Sequence, residues 1–249
     1  TKNGREGKTR VTYNGTVGWS SAVDLPKLAH SYEYAEYYNM ALGTESYTPE
    51  MIQKFRDGSD PDNYADEMYL EDLLGSHPVQ TKHELSISGG TSRINYQLTA
   101  AYMRTNGFFK NSNYDRFNGR LNLSALLAKN FKMNVILNGT FGDRHEPSTP
   151  GALDSGGNGA FISNALRYPG LWASYMQDGS VGLGPKLQGT PVSWLDCASF
   201  YTDAIDRYKA QINFEYELIP GLKAKVIGGY NYTFQHVRNY RSDMTLTDG

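Results

Sequence analysis

Apolar side chains occupy every second position along two neighbouring segments near the end of the sequence, 207–218 and 222–235. Most positions between them hold charged or amide side chains, and Ile219, Pro220 and Gly221 form a short connection. The apolar positions are Tyr208, Ala210, Ile212, Phe214, Tyr216 and Leu218, then Leu222, Ala224, Val226, Gly228, Tyr230, Tyr232 and Phe234. A period of two predicts a β-hairpin with one apolar and one polar face.

Five further segments alternate in the same way: 10–19, 83–88, 93–103, 116–125 and 131–142. None of their predicted apolar positions carries Asp, Glu, Lys or Arg. The hairpin strands run to about a dozen residues, longer than the usual globular strand, whereas about 9–11 tilted residues span a bilayer. The pattern therefore predicts transmembrane strands with apolar side chains on lipid and polar side chains facing a lumen.

The lengths of the connections alternate too. Those after the second, fourth and sixth strands are short, and two of the others, 20–81 and 143–206, are long. We expect tight turns at 89–92 and 126–130, and helices at Ser31–Leu42 and from Thr48 as N-cap to Gly58. If consecutive strands pair antiparallel, all long connections lie at one end, as extracellular loops do in outer-membrane barrels.

Seven strands are too few for a complete barrel of this kind. Bacterial single-chain barrels have an even number of strands, and a plugged transporter lumen needs about 22. The predicted fold class is therefore all-β: a partial transmembrane antiparallel β-barrel, seen as an open, curved sheet whose edge strands lack partners or pair with another polypeptide. The long loops contain short helices. Because no signal peptide stands at Thr1, we expect the sequence to be part of a longer one.

Composition adds little to this picture. The chain has 249 residues and no apolar run of about 18 residues, so no transmembrane helix is predicted. The net charge of −2 argues neither for nor against a nucleic-acid partner, and we expect none. Its 19 tyrosines and 26 glycines suit strands, tight turns and interfacial aromatic belts. Aromatic residues gather toward both ends of the predicted strands, for example Trp19 and Phe117 at the loop end and Phe131 and Tyr216 at the turn end.

No catalytic motif is present: the sequence lacks a P-loop, GxSxG, HExxH and CxxC, so no enzyme activity and no cofactor are predicted. The histidines are scattered, and no metal site is expected from them. Four aspartates in the first long connection lack EF-hand spacing, and solvated carboxylates or helix caps are favoured over calcium ligands. They are Asp57, Asp60, Asp62 and Asp66.

The second long connection is rich in aromatic residues. Aromatic faces with polar neighbours suit sugar rings or peptide side chains, so we expect substrate contacts among them. The alternative is that they pack the loop against itself. The candidate substrate-binding residues are Tyr168, Trp172, Tyr175, Trp194 and Tyr201.

Four segments resemble the SusC/RagA-type TonB-dependent outer-membrane transporters. TKNGREGKTRVTYNG at the start resembles their plug–barrel junction, and HELSISGGTSRINYQLTAAY from His83 resembles an early hairpin. YDRFNGRLN from Tyr114 and the GDRHEP segment from Gly142 follow the family pattern as well. The resemblance implies that 1–8 is the end of a plug or linker and that 9–249 is the N-terminal part of the barrel.

The resemblance also implies a function in the bacterial outer membrane. Members of the family import nutrients, oligosaccharides or peptides, with energy from the TonB–ExbB–ExbD complex and with a SusD-like lipoprotein as partner. The TonB contact would use a region N-terminal to this chain. A passive porin, a surface adhesin barrel and a soluble carbohydrate-binding β-protein remain the alternatives.

Overall fold

A computed structural model describes residues 6–151 and 158–248. Residues 1–5, most of the predicted linker, lie outside the described residues. The strands are β1 (Gly7–Trp19), β2 (Val79–Gly90), β3 (Ile94–Asn106), β4 (Asn113–Ala128), β5 (Phe131–Pro147), β6 (Phe200–Ile219) and β7 (Leu222–Tyr240).

All seven strands form one antiparallel sheet in chain order, from β1 to β7. Within residues 6–151 and 158–248, β1 pairs only with β2, and β7 pairs only with β6. The open antiparallel sheet expected from the sequence is therefore confirmed, and a closed seven-stranded barrel is ruled out for this part of the chain.

The strand register collects the predicted apolar positions on one face of the sheet, called the apolar face below. Leu98 on β3 lies opposite Ile87 on β2 and Leu121 on β4, and Leu121 lies opposite Leu137 on β5. These side chains stay open to the surroundings: Leu98 is 45% exposed, and Val226 on β7 is 66% exposed. The opposite side, called the polar face, carries the intervening residues.

None of the helices described is long and apolar enough to cross a bilayer.

Most strands extend further than the sequence pattern indicated. β2 begins at Val79 instead of 83, β5 ends at Pro147 instead of 142, and β6 begins at Phe200 instead of 207. The pattern fails there because polar residues such as Asp143 and Asp206 stand at positions of the apolar face, although the backbone ladder continues past them. The strands thus run beyond the apolar band at the loop end.

Two predicted turns are shorter than expected. Gly89 and Gly90 belong to β2, and the turn follows them, closed by a 2.7 Å hydrogen bond from the Thr91 amide to the Ile94 carbonyl. Similarly, β4 continues to Ala128, so the expected 126–130 turn is confined to the residues just before Phe131. Backbone pairing is thus kept almost to the tip of each hairpin.

Two helices have the bounds predicted for them: α1 (Ser31–Leu42) and α2 (Pro49–Asp57). The Thr48 hydroxyl accepts the Met51 amide at 3.3 Å and caps the start of α2. Gly58 ends it with a φ of 63°, a left-handed conformation that favours glycine. Local capping signals were therefore sufficient to place α2.

Two further helices were not predicted: α3 (Tyr69–Leu74) and α4 (Asn158–Arg167). Short 3-10 helices follow at Pro185–Leu187 and Ser193–Asp196. Trp19 pairs with Val79 and Pro147 pairs with Phe200, so both long connections leave the sheet at the same end, as expected. The two long connections and the loop between β3 and β4 together form what we call the loop cap: residues 20–78, 107–112 and 148–199. Residues 152–157 of this set lie outside the described residues.

Candidate substrate-facing site

Amide, hydroxyl and basic side chains cover the polar face. Several hydrogen-bond to one another: the Thr140 hydroxyl donates to the Asn118 amide oxygen at 3.2 Å, and the Gln211 amide donates to Asn213 at 3.0 Å. Such groups both donate and accept hydrogen bonds. The polar face therefore offers a hydrophilic solute many hydrogen-bonding partners along the sheet.

A hydrophobic core holds the loop cap together. It draws on both long connections and on the loop between β3 and β4, which places Phe109 against Phe161 with ring centroids 5.4 Å apart. Its buried members are Tyr69, Leu70, Leu73, Phe109, Phe161, Ala165 and Trp194. Since three connections share one core, the loop cap is a single packed unit at the end of the sheet.

A buried carboxylate joins the two long connections. Glu67 accepts the Ser174 amide at 2.6 Å and the Ser174 hydroxyl, which itself hydrogen-bonds to the Thr190 hydroxyl at 2.6 Å. Burial raises the pKa of Glu67; the Ser174 hydrogen bonds act in the opposite direction, and the nearby Asp72 reinforces the increase. The junction thus contains an acid that holds its proton more tightly than a carboxyl group in water.

Gly170 lies where the backbones of the two long connections meet. Its carbonyl oxygen accepts the Glu67 amide at 3.1 Å. A Cβ on Gly170 would stand 1.9 Å from the Glu67 carbonyl oxygen, far inside van der Waals contact. Only glycine fits this approach.

Two of the five candidate residues, Trp194 and Tyr168, lie in or against the core of the loop cap, and Trp172 is joined to it through its backbone carbonyl. Trp194 is 0% exposed, and its indole donates to the Gln188 carbonyl at 2.7 Å. Tyr168 packs against the same core, and the Trp172 carbonyl accepts a 2.6 Å hydrogen bond from the Tyr69 hydroxyl. In this conformation Trp194 has no surface to offer a solute, whereas Tyr168 and Trp172 are half-buried.

The other two candidates are more accessible. Tyr175 is 38% exposed and donates to Asp196 at 2.6 Å, while Lys110 holds the other oxygen of that carboxylate. The hydrogen bond from Lys110, followed by that from Tyr175, lowers the pKa of Asp196; burial, followed by Asp196, raises the pKa of Tyr175. Tyr201 is half-buried on β6, opposite Glu146. The structure does not gather the five residues into one pocket, and their contact with substrate stays a prediction.

A cleft of about 380 Å³ separates the loop cap from the polar face. Leu74, Phe109 and Ile162 line it from the loop cap, and Tyr114 and Arg144 line it from the sheet. Its volume is within the usual range of small-molecule sites. Sequence reasoning named none of these residues as site residues.

The four aspartates noted in the first long connection are engaged within the protein. Asp57 accepts the Ser59 amide at 2.9 Å, Asp60 pairs with Lys54 at 3.3 Å, and Asp62 accepts the Gln177 amide at 2.8 Å. Asp66 accepts the Ser31 amide at 2.7 Å. Across the described ranges, no three His, Cys, Asp or Glu side chains are grouped so that they could hold a metal ion.

Sequence reasoning missed the residues that assemble the loop cap. Phe161 and Ala165 are one helical turn apart on α4, a spacing that could have indicated a buried helix face. Glu67 and Tyr69 gave no local signal, because their partners are Ser174 and Trp172 in the other long connection. Long-range contacts of this kind are not visible in a periodic pattern.

A search of protein-family models gave no match. Among curated proteins, the chain is 25% identical over 234 residues to the TonB-dependent receptor P3 of Formosa agariphila, a match covering 93% of this chain and 22% of that protein. It is 28% identical over 137 residues to the TonB-dependent receptor SusC of Bacteroides thetaiotaomicron, covering 54% of this chain and 12% of SusC. The chain therefore spans about a fifth or less of the length of these relatives.

The fold has a counterpart among solved structures. A chain of the RagAB peptide importer in its closed-closed state superimposes with a TM-score of 0.70 over 95% of this chain and 29% of its own length, at 18% identity. A second structure of the RagAB peptide transporter matches equally well. The chain is therefore similar in sequence to a segment of two TonB-dependent receptors, P3 and SusC, and it shares its fold with part of a RagAB chain.

Proposed function

We propose that this chain forms part of the barrel wall of an active importer in the bacterial outer membrane. In this proposal residues 9–249 are N-terminal barrel, residues 1–8 are the end of a plug or linker, and the loop cap is extracellular. The imported nutrient is an oligosaccharide or a peptide, and the energy comes from TonB.

The observation that carries the proposal is the division of the sheet into two faces. Seven strands in register present one continuous apolar face, and its large side chains, such as Tyr13 at 61% and Val17 at 62%, remain exposed. A water-soluble protein would leave this surface in contact with water, at a cost of roughly 25 cal/mol per Å² of apolar area. Lipid on one face and a hydrophilic lumen on the other suit the same residues.

The proposed partners follow from the relatives. Two similar proteins are named TonB-dependent receptors, which supports coupling to TonB–ExbB–ExbD. We place a SusD-like lipoprotein over the loop cap, since a solute arriving from outside must pass that end of the sheet. The loop cap is also where four of the five candidate substrate-binding residues lie; Tyr201 is on β6.

Uptake measurements test the function. Cells producing the protein that carries this sequence should accumulate a labelled oligosaccharide or peptide mixture only while TonB is present and the inner membrane is energised. Accumulation that continues after deletion of TonB would instead support a passive porin, and surface attachment without accumulation would support an adhesin.

Extraction behaviour tests the alternative of a soluble carbohydrate-binding protein. The exposed apolar face predicts that the protein stays with the membrane fraction and needs detergent for release. A monodisperse monomer in plain buffer would contradict the membrane assignment and favour the soluble alternative.

A further inference from the structure

Four basic side chains stand together in the middle of the polar face: Arg116, Arg120, Arg207 and Lys209. Arg120 on β4 and Lys209 on β6 both lie opposite Asn138 on β5, so they are two strand spacings, about 10 Å, apart. Arg207 is two residues from Lys209 on the same face of the same strand. We call these four residues the basic patch.

The basic patch has no acidic partner in the part of the chain that the structure describes. None of the ion pairs found there includes any of its four residues. Arg120 contacts the Asn122 amide oxygen at 3.2 Å, and Arg116 lies 4.0 Å from the Met103 sulfur, while its buried Nε has no hydrogen-bond acceptor among the described residues. A guanidinium offers five donors, so most of this capacity is unused.

The nearest carboxylates on the polar face of β6 are already engaged. Asp203 accepts a hydrogen bond from Gln235 at 2.8 Å, and Glu215 pairs with Lys223 at 3.2 Å. Like charges in such proximity repel one another, and a wall of one sign raises the local concentration of ions of the other sign. The basic patch therefore favours an anion supplied from outside these strands.

The residues around the basic patch indicate the rest of the ligand. Asn118, Asn138 and Thr140 lie between its basic side chains, and Gln211 and Asn213 continue the row on β6. Amides and hydroxyls pair well with the hydroxyl groups of a sugar, whereas apolar peptide side chains would find few apolar partners here. Arginine is suited to carboxylate and sulfate groups because it can bind two oxygens at once.

We infer that the basic patch binds the anionic groups of an acidic oligosaccharide, bearing carboxylate or sulfate groups, on its way through the protein. This inference rests on the proposed import function and specifies its substrate class. The loop cap and the cleft beneath it lie at the extracellular end of the sheet, from which the oligosaccharide would arrive.

Binding to the protein that carries this sequence, purified in detergent, tests the inference. The probes are oligogalacturonate, a neutral malto-oligosaccharide of equal length, and poly-glutamate. The inference predicts that oligogalacturonate binds most tightly and that its affinity falls as salt is raised from 50 to 500 mM, since exposed charges are screened. Equal binding of the neutral sugar, or stronger binding of poly-glutamate, would overturn it.

Variants locate the site. Arg207→Gln combined with Lys209→Gln should weaken oligogalacturonate binding about tenfold at low salt, the effect of two ordinary exposed ion pairs, and leave malto-oligosaccharide unchanged. Lys129→Gln is the matched control, because Lys129 is an exposed cation in the turn between β4 and β5, at the end of the sheet away from the loop cap. An unchanged affinity in the correctly assembled double variant would refute the site.

A third result would identify a different occupant. If an acidic segment of the same protein covers the basic patch, the double variant would bind oligogalacturonate as weakly as the original and would become more sensitive to protease, which overturns the inference. TonB-dependent uptake of neutral oligosaccharides alone would also overturn it, although the import function would stand. Absence of any TonB-dependent uptake would instead contradict the import function itself.

Discussion

The hydroxyl of Tyr69 donates a 2.6 Å hydrogen bond to the carbonyl oxygen of Trp172, a residue 103 positions further along the chain. Tyr69 is 1% exposed, so this bond joins the two long connections inside the loop cap. It shows that the loop cap is held by specific polar contacts as well as by its apolar core.

Removing this hydrogen bond should loosen the loop cap. Tyr69→Phe keeps the ring but leaves the Trp172 carbonyl without its donor, at a cost of about 1–3 kcal/mol. Limited proteolysis should therefore cut 148–199 faster in the variant, with the strands unaffected. Tyr37→Phe, at a position 63% exposed, is the control, and equal cleavage rates in the two variants would contradict the role of Tyr69.

The close approach at Gly170 gives a second prediction. Gly170→Ala places a methyl group against the Glu67 carbonyl and should destabilise the loop cap by about 1–3 kcal/mol, the usual effect of overpacking. Gly159→Ala on α4 meets no atom within 4 Å and should be neutral or slightly stabilising. Hydrogen exchange of the loop-cap amides should be faster in Gly170→Ala than in Gly159→Ala. Exchange rates that neither substitution changes would mean that the connections are not packed as described.

The buried Glu67 predicts a pH dependence. Because its pKa is raised in the folded loop cap, the folded state binds more protons than the opened state above the ordinary pKa of 4.5. The free energy of opening should therefore fall as pH rises from 4.5 through the raised pKa, and then stay level.

Glu67→Gln isolates this contribution from the other acids of the loop cap, such as Asp196, whose pKa is lowered and whose effect has the opposite sign. The difference in opening free energy between wild type and variant, measured by hydrogen exchange from pH 4 to 8, should change across that window. A difference that is constant with pH would show that Glu67 does not titrate there.

The two faces of the sheet should tolerate charge differently. Leu98→Arg and Val135→Arg put a cation on the apolar face, which at bilayer mid-depth costs about 2–4 kcal/mol, and should impair membrane assembly. Asn95→Arg and Asn134→Arg, on the polar face, should assemble normally. Heat-modifiable mobility of the extracted protein provides the comparison, and similar assembly of all four variants would mean that the faces are misassigned.

The sheet was predictable from the sequence because each strand has one apolar and one polar face, so apolar and polar residues alternate along it. Residues from Phe131 to Phe141 alternate except at Ile136, and the register places the apolar positions Phe131, Val135 and Phe141 on one face. Beyond Phe141, the polar Asp143 occupies the next position on the same face of β5, so the alternation of apolar and polar residues ends before the strand does. Helix α2 was predictable from its local caps, Thr48 and Gly58.

The candidate site was less predictable. Trp194 was a candidate substrate-binding residue because the second long connection is rich in aromatic residues. Its burial depends on Phe161 and Phe109, which come from different connections. The cleft beside Arg144 exists only because the loop cap lies over the polar face. Neither arrangement follows from neighbouring residues in the sequence, since both depend on how separate loops pack.

Lipid accessibility along β5 shows whether the apolar face of the sheet lies against the bilayer. With Cys197 replaced by serine, single cysteines at Met133, Val135 and Leu137, and at Asn134, Asn138 and Thr140, would be labelled with a fluorophore in reconstituted bilayers. A barrel wall predicts that labels at the first three positions are quenched by a lipid-borne quencher, and that labels at the other three are quenched by a water-soluble one. Quenching that does not alternate between these sets, or that alternates in the opposite sense, would contradict a barrel wall with its apolar face on lipid.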